Sequence, residues 1–272
     1  MKKTILITGA SRGFGKLWAT AFLKRGDHVI ATARNLSDLN DLAKEFGSKV
    51  LPVQLDVTNR TQTFEAVQKA HDHFGKIDVL INNAGFGLFG AIEEASEEEA
   101  RKQMEVNFFG LLWATQAVLP FMRKQKSGHI IQVSSALGLF TLPTLGIYNA
   151  SKFAVEGLTE TLASEVKEFG IKVSLIEPNG YETDWAGSSA SHSKDIEAYN
   201  NLKTGFRNAY NPDDYGVPAA TVEPVLNLVD SKEPPLRLLL GKVAYKYATA
   251  TYQQRLENFE AWKEVTLTAH GK

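Results

Sequence analysis

Short apolar runs alternate with longer amphipathic stretches along most of the chain. The runs are rich in β-branched residues, and in the stretches apolar residues recur at helical spacing, which predicts strands alternating with helices. The predicted strands are 4–8, 28–33, 49–54, 77–81, 128–134, 172–177 and 236–240. The predicted helices are 13–25, 37–46, 60–74, 96–122, 148–169, 196–206, 222–229 and 247–262. This alternation favours parallel pairing through right-handed crossovers, so the expected fold is α/β, a doubly wound parallel sheet of Rossmann type with about seven strands.

The alternation weakens between residues 179 and 218, where Ser, Asn, Asp and Gly replace the apolar runs. Long irregular segments inside compact domains are uncommon and are often functional. We therefore expect residues 184–218 to form a lid or a wall of the substrate pocket. Residues 241–272 are expected to form a helical C-terminal extension, and the whole chain, 1–272, to be a single catalytic domain.

Composition narrows the possible partners. Lys and Arg number 30 against 31 Asp and Glu, a net charge of -1, so no overall field directs the chain to nucleic acid or to an anionic membrane. The absence of cysteine excludes disulfide scaffolds, Cys-ligated metals and thiol catalysis. No apolar stretch approaches the about 20 residues of a membrane-spanning helix. We expect a cytoplasmic protein with a small-molecule substrate and with no nucleic-acid, membrane or metal partner.

A glycine-rich loop joins the first predicted strand to the first predicted helix. Glycines let the backbone turn tightly and approach a phosphate, and the helix N-terminus supplies free N–H groups. The spacing is Gly-x-x-x-Gly-x-Gly rather than Gly-x-Gly-x-x-Gly, and an ordinary glycine-bearing turn is the alternative that the flanking elements disfavour. The loop residues expected to bind a dinucleotide are Gly9, Ser11, Arg12, Gly13, Phe14 and Gly15.

The end of the second predicted strand indicates which dinucleotide is bound. NAD-binding domains usually carry an acidic residue there for the adenosine ribose, whereas this chain has Ala33-Arg34-Asn35. Arg34 can pair with a 2′-phosphate, and Arg12 adds a second cation nearby. The sequence therefore favours NADP(H), although each arginine alone is also compatible with a solvated surface charge.

Further motifs, in order along the chain, resemble those of the short-chain dehydrogenases/reductases over residues 3–185. The motifs are Thr8 to Gly15, Asp56, Asn82-Asn83-Ala84-Gly85, Asn107, Ser135, Tyr148-Asn149-Ala150-Ser151-Lys152, and Pro178 with Thr183. The resemblance implies a seven-stranded parallel sheet and NAD(P)-dependent hydride transfer to or from a carbonyl or an alcohol. It also implies a homo-oligomer, commonly a dimer or a tetramer.

The resemblance implies a role for each motif. The catalytic residues would be Asn107, Ser135, Tyr148 and Lys152. Asp56 would contact the adenine, Asn107 would hold a water that leads to solvent, and Pro178 with Thr183 would flank the nicotinamide. Besides the glycine loop, Arg34, Tyr148 and Lys152, the implied cofactor contacts are Asp56, Val57, Asn83, Ala84, Gly85, Pro178, Gly180 and Thr183.

One position departs from the family pattern. A glycine most often follows the proline of the last motif, whereas here Asn179 stands between Pro178 and Gly180. Asn is the non-glycine residue that best tolerates a positive φ, so we expect the backbone to keep its course.

The spacing of Tyr148 and Lys152 explains how they would act. Residues four apart project from one face of a helix. A tyrosine has an ordinary pKa of about 10, and a nearby ammonium, with an oxidised nicotinamide, is expected to lower that pKa toward neutrality. In reduction Tyr148 would protonate the substrate oxygen, and Ser135, after the fifth strand, would stabilise the developing alkoxide.

The combined interpretation is an NADP(H)-dependent reductase of ketones or aldehydes, acting on a fairly apolar substrate. Apolar residues that follow the strand ends and are candidates for the pocket wall are Phe86, Leu88, Phe89, Leu137, Phe140, Leu142, Tyr181 and Trp185. Two alternatives are an NAD-linked alcohol dehydrogenase and a catalytically idle NADP(H)-sensing regulatory protein. The acidic run 93–99 is interpreted as a solvated helix start.

Overall fold

In the computed structural model the described residues are 2–271, apart from 186, 188, 209 and 210. The four internal gaps fall in the segment 184–218, which was predicted to form a lid or pocket wall, and residue 272 falls in the predicted C-terminal extension. These parts of the two predictions lie outside the described residues. The strands are β1 Thr4–Ile7, β2 His28–Ala33, β3 Val50–Gln54, β4 Val79–Asn82, β5 Leu88–Phe89, β6 Gly128–Val133, β7 Ile171–Pro178, β8 Ser191–His192 and β9 Arg237–Leu240.

Seven of these strands form one parallel sheet in the order β3-β2-β1-β4-β6-β7-β9. The predicted α/β doubly wound fold is therefore confirmed. The pairing registers place Ile5 beside Val29 on one side and beside Val79 on the other. The chain order of the strands reverses between β1 and β4, and open parallel sheets bind ligands at the carboxyl edge at such a point. The short β5 and β8, which the sequence pattern did not indicate, pair with each other.

Helices cover both faces of the sheet. They are α1 Gly13–Arg25, α2 Asn40–Phe46, α3 Arg60–Phe74, α4 Glu97–Met104, α5 Gly110–Gln125, α6 Gly146–Val166, α7 Asn200–Asn208, α8 Val222–Asp230, α9 Lys242–Ala261 and α10 Lys263–Thr268. One apolar cluster packs Trp18 and Phe22 of α1 and Val225 of α8 against the sheet. A second cluster packs Val118 of α5 and Leu162 of α6 against the other face.

Two predicted helices differ most from those observed. The stretch 96–122 was predicted as one helix, but a π-helical turn, Glu105–Phe109, separates α4 from α5, and Asn107 lies inside this turn. Such π turns occur often at functional sites. The helix predicted at 247–262 begins earlier, at Lys242, because its first turns pack through Ala244 and Ala248, which are small and weak in a hydrophobic pattern.

No helix in the described ranges has both the length and the apolar character needed to cross a bilayer.

Candidate active site

The glycine loop is held by contacts between backbone segments. Gly9 has a φ of 68°, a region that favours glycine, and a methyl group at Gly15 would lie 2.2 Å from the Gly9 carbonyl oxygen. The same methyl would lie 2.6 Å from Nδ2 of Asn83. Glycine is therefore required at position 15, because no neighbouring atom can move far enough to admit a side chain.

The loop after β4 is tied to the glycine loop. Asn83 donates from Nδ2 to the carbonyl oxygens of Thr8 and Gly9, each at 3.0 Å. Oγ1 of Thr8 accepts the backbone N–H groups of Asn83 and Ala84, also at 3.0 Å. The structure thus brings together two motifs that are about 70 residues apart, an interval of 75 between Thr8 and Asn83.

The start of α1 is suited to an anion. Its N-cap residue, Arg12, makes no side-chain cap, and the first turn carries no acidic residue, so the first N–H groups of the helix are open to a ligand. Gly13 has a φ of 54°, and a methyl group there would meet nothing within 4 Å. Arg12 and Arg34 are exposed, and neither has an ion pair among the described residues. This loop therefore fits a phosphate-bearing cofactor.

Asp56 and Val57 follow β3 at the same edge. Asp56 is exposed, and its Oδ1 accepts hydrogen bonds from the backbone N–H and the hydroxyl of Thr58 at 3.0 and 2.8 Å. Val57 is buried, and a methyl group at Gly110 would lie 2.7 Å from its Cγ2. The side chain of Val57 thus packs against α5, and a cofactor contact would have to use its backbone.

Tyr148, Lys152 and Ser135 meet at the carboxyl edge of the sheet. All three side chains are buried, and Ser135 is close enough to Tyr148 to interact with it. Nζ of Lys152 donates to the carbonyl oxygen of Val133 at 2.9 Å and lies 5.7 Å from the centre of the Tyr148 ring. Two successive turns of α6 and the end of β6 therefore place the predicted proton donor, its cation and a hydroxyl in one buried group.

Asn107 joins this group from the π turn. Its Oδ1 accepts the backbone N–H of Phe86 at 3.1 Å, and its Nδ2 donates to the carbonyl oxygen of Phe86 and to Oγ of Ser151. Ser151 in turn donates to the carbonyl oxygen of Tyr148 at 2.7 Å. A methyl group at Gly85 would lie 3.1 Å from Oδ1 of Asn107 and 3.8 Å from Nζ of Lys152. Asn107 thus fixes the turn after Gly85 next to α6.

Burial dominates the electrostatics of the pair on α6. It raises the pKa of Tyr148, an effect that the hydrogen bond from Ser135 opposes. The lowered pKa expected from the sequence includes the positive charge of a bound oxidised nicotinamide, and it stays a prediction. Burial also lowers the pKa of Lys152 to about 8, while the charge of Glu156 acts in the opposite direction. Tyr148 is accordingly held as the protonated phenol, the form that donates.

Asn179 is joined to the C-terminal part of the chain. Among the described non-glycine residues φ is positive only at Lys126 and Thr144, so Asn179 does not use the left-handed tolerance expected for it. Its Nδ2 donates to the carbonyl oxygen of Asp214 at 3.2 Å, and its Oδ1 accepts the backbone N–H of Ala244 at 3.4 Å. Asn179, which departs from the family pattern, thus connects the loop after Pro178 to α9. The sequence did not indicate this role.

The chain resembles known proteins along nearly its whole length. The short chain dehydrogenase family model matches residues 3–194. The chain belongs to the short-chain dehydrogenase family. Oxidoreductase BOA17 of Botryotinia fuckeliana strain B05.10 is 42% identical over 273 residues, covering 99% of this chain and 100% of that protein. A 3-ketodihydrosphingosine reductase of Bacteroides thetaiotaomicron is 40% identical over 247 residues, 87% of each chain.

Solved structures give the same assignment. A short-chain dehydrogenase from Streptomyces avermitilis superimposes with a TM-score of 0.92 at 34% identity and covers 98% of both chains. A Burkholderia cenocepacia short chain dehydrogenase in complex with NADP has a TM-score of 0.76 at 29% identity, covering 96% of this chain and 97% of that one. A Burkholderia phymatum relative in complex with NAD has a TM-score of 0.81 at 26% identity, covering 96% and 95%. The relatives thus bind a nicotinamide cofactor of either kind.

In this short-chain dehydrogenase the segment after Thr183 covers the buried tyrosine. The ring of Trp185 lies 5.0 Å from the ring of Tyr148 and 5.5 Å from that of Phe89, centre to centre. A methyl group at Gly87 would lie 2.5 Å from the indole. The aromatic cluster around Tyr148 also contains Leu137 and Phe140. Four of the apolar residues expected in a pocket wall therefore meet at Tyr148, while Tyr181 packs against Phe14 beside the glycine loop.

The same segment is anchored to the body by a buried carboxylate. Glu94 accepts the backbone N–H of Ile196 at 2.7 Å and pairs with Lys203 at 2.5 Å, and Lys203 also contacts Asp195. The interpretation of residues 93–99 as a solvated start of a helix is therefore wrong at Glu94, whose side chain is fully buried. Its partners are about 100 residues away, with intervals of 102 and 109, so no local pattern could have indicated them.

Proposed function

We propose that this short-chain dehydrogenase reduces a fairly apolar ketone or aldehyde with NADPH, and that Tyr148 is the proton donor. One observation carries the proposal: Tyr148, Ser135 and Lys152 form one buried group, in which Ser135 is close enough to interact with Tyr148 and Nζ of Lys152 lies 5.7 Å from the centre of the Tyr148 ring. A bound nicotinamide cofactor would supply the hydride that the carbonyl carbon receives. Tyr148 protonates the oxygen, Ser135 donates a hydrogen bond to it, and Lys152 stabilises the phenolate that remains.

The preference for NADP(H) is supported by charge at the cofactor edge. Arg34 follows β2, Arg12 precedes α1, and both are exposed without an ion pair among the described residues. Guanidinium groups bind phosphate in a bidentate manner. The Burkholderia cenocepacia relative was solved with NADP. Cofactor selectivity tests this part, because exchanging Arg34 for Asp is expected to weaken NADPH much more than NADH, whereas Arg123→Asp on α5 should change neither. Equal losses for both cofactors would contradict the role of Arg34.

The apolar nature of the substrate is supported by the residues around Tyr148. Trp185, Phe89, Leu137 and Phe140 surround the tyrosine, and an apolar wall favours an apolar ligand. The similarity to a 3-ketodihydrosphingosine reductase agrees with a lipophilic ketone. Location in the cytoplasm, a dimer or tetramer, and the cofactor contacts of Asp56, Val57, Pro178, Gly180 and Thr183 stay predictions.

The first experiment follows NADPH and NADH oxidation with a panel of ketones and aldehydes of increasing chain length. Tyr148→Phe removes the proton donor and keeps the ring, so we expect turnover to fall by about a factor of a thousand with NADPH binding retained. Tyr252→Phe, on the exposed part of α9, is the matched control. If the variant turns over like the wild type, Tyr148 is not the acid. NADPH binding without turnover of any carbonyl would favour the NADP(H)-sensing protein. NAD-selective oxidation of alcohols would favour the NAD-linked alcohol dehydrogenase.

A further inference from the structure

A row of ionisable side chains runs along α6 away from the active site. Tyr148, Lys152, Glu156 and Glu160 follow one another at intervals of four, which places them on one face of the helix at steps of about 6 Å. The first three are buried, whereas the side chain of Glu160 is 65% exposed. The row therefore extends from the buried phenol to the surface.

Two further side chains complete the middle of the row. Glu177 of β7 is fully buried and lies against Glu156, close enough to interact with it. Nε of Arg237, on β9, lies 3.3 Å from Oε2 of Glu156 and 3.4 Å from Oε1 of Glu177, and its Nη2 lies 3.3 Å from Oε2 of Glu160. One guanidinium thus contacts three carboxyl groups, two of which are buried.

The buried pair lacks the hydrogen bonds that would keep both groups ionised. In the part of the chain that the structure describes, all four carboxyl oxygens of Glu156 and Glu177 are buried without a hydrogen-bond donor in regular geometry. Two neighbouring negative charges are costly in a medium of low polarity, so such a pair retains a proton. Burial, followed by the charge of Glu156, raises the pKa of Glu177, and burial raises the pKa of Glu156 as well.

The groups that face this pair come from every neighbouring element. Lys152 and Glu160 belong to the same helix, and Arg237 reaches in from β9. Ser134, which follows β6, lies beside Glu156. A methyl group at Gly138 would lie 2.8 Å from Oγ of Ser134 and 3.0 Å from Oε1 of Glu156, so both side chains border the same space. Lys152 is thus the cation on the active-site side, and Arg237 the cation on the solvent side.

We propose that Glu156 and Glu177 hold one exchangeable proton and return it to Lys152, which makes this face of α6 a proton route between solvent and the active site. The proposal rests on the proposed function. It names a path other than the water at Asn107 that the family resemblance implies, because Asn107 approaches from the π turn between α4 and α5.

Each step moves one proton. In reduction the O–H bond of Tyr148 breaks as its proton passes to the substrate oxygen, and the phenolate recovers a proton from the ammonium of Lys152. The resulting amine takes the proton held by Glu156 and Glu177, and their carboxylate is protonated again from water at Glu160. One solvent proton is consumed per carbonyl reduced, and oxidation reverses the sequence.

The shared proton can be tested without any substrate. The full-length protein labelled with ¹³C at the glutamate side-chain carboxyls is titrated by NMR, as wild type and as Glu156→Gln, Glu177→Gln and Glu168→Gln. Glutamine has the shape of a protonated glutamate, so the fold is expected to survive. One protonated carboxyl at pH 7 is expected in the wild type and in the exposed control Glu168→Gln, whereas in the other two variants the remaining carboxyl is expected to titrate at a lower pH than in the wild type, because the neighbouring charge is gone. Ordinary titration of every glutamate would overturn the proposal. This result does not depend on whether a carbonyl is reduced.

The route is tested by the pH dependence of turnover. Glu156→Gln and Glu177→Gln are expected to lower kcat of reduction about tenfold at alkaline pH, with unchanged KM and NADPH binding. The alkaline limb of the Glu156→Gln profile should move to lower pH, because Lys152 loses the negative charge that supports its protonated form. Glu177→Asp, which restores a carboxyl, should recover part of kcat. Unchanged profiles, or losses that follow only the thermal stability of each variant, would overturn the route even if the shared proton exists.

Discussion

The glycine loop and the segment after Pro178 border the proposed cofactor site from two sides, and they are built differently. In the glycine loop backbone meets backbone, as Gly15 does against the carbonyl of Gly9. After Pro178, glycines instead lie against aromatic rings. A methyl group at Gly180 would lie 3.0 Å from the ring of Tyr215, and one at Gly216 would lie 2.3 Å from the ring of Tyr181. Where backbone packs against backbone there is no room for a side chain, whereas a packed aromatic ring can be replaced by another side chain. We infer that the first region tolerates little change and that the second can adapt to different substrates.

Gly15→Ala should produce the largest effect in this comparison. Its methyl would overlap the Gly9 carbonyl, so we expect a loss of about 3 kcal/mol or more in the free energy of unfolding and no NADPH binding. Gly13→Ala is the control, since its positive φ costs only about 1–2 kcal/mol and its methyl meets nothing. Urea unfolding and fluorescence titration with NADPH measure both. Equal losses in the two variants would show that backbone packing is not what the loop depends on.

Trp185→Ala tests the adaptable side. Removal of a half-buried indole should cost about 2 kcal/mol and leave NADPH affinity unchanged. It should shift the preference among ketones toward bulkier ones, because the ring no longer covers Tyr148. The pKa of Tyr148 should fall as water gains access to it. Kinetics across the substrate panel measure the shift, with the exposed Trp262→Ala as control. A preserved order of substrates would remove Trp185 from the pocket wall.

Asn179→Ala should have a smaller effect. It removes the hydrogen bonds to the Asp214 carbonyl and from the Ala244 N–H, for which we expect about 1 kcal/mol. Hydrogen exchange should become faster at the start of α9 and around Asp214, and Asn258→Ala, on the exposed part of α9, should leave it unchanged. Unaltered hydrogen exchange in the Asn179 variant would mean that other contacts hold the loop after Pro178 and α9 together.

The acid dependence of the anchor at Glu94 should be the smallest effect. The hydrogen bond from Ile196, and next the one from Lys203, lower the pKa of Glu94 to about 2. A folded-state pKa below the unfolded value of about 4.3 stabilises the protein above that pH, and this contribution disappears as the pH falls toward 2. Wild type should therefore resist proteolysis of residues 191–208 better than Glu94→Gln at pH 7 and lose most of that advantage near pH 2, with Glu98→Gln behaving as wild type. An advantage independent of pH would exclude the charge as its cause.

The parts of the site that sequence indicates best are those made by contiguous residues. The glycine loop and the Tyr148–Lys152 pair are short patterns whose spacing reflects one turn or one helix, and the structure brings both to the carboxyl edge. Arg34 is predicted to contact the cofactor because it follows a strand whose end must lie at that edge, and this role stays a prediction. The burial that raises the pKa of Tyr148 could not be predicted, since it depends on Trp185 and the rest of the aromatic cluster, and no local pattern specifies that cluster.

The order of residues along the chain is enough to predict the strands of the parallel sheet, the helices between them and the family. This is possible because hydrophobic periodicity and turn residues act over a few neighbouring positions. Three-dimensional packing alone established that Glu156 faces Glu177, that Glu94 is buried under Lys203, and that Trp185 covers Tyr148. Each of these contacts joins residues that lie far apart in sequence, and its energy exists only after the sheet has placed them side by side. Long-range pairing of this kind leaves no periodic trace in a single chain, which is why it had to be read from the fold.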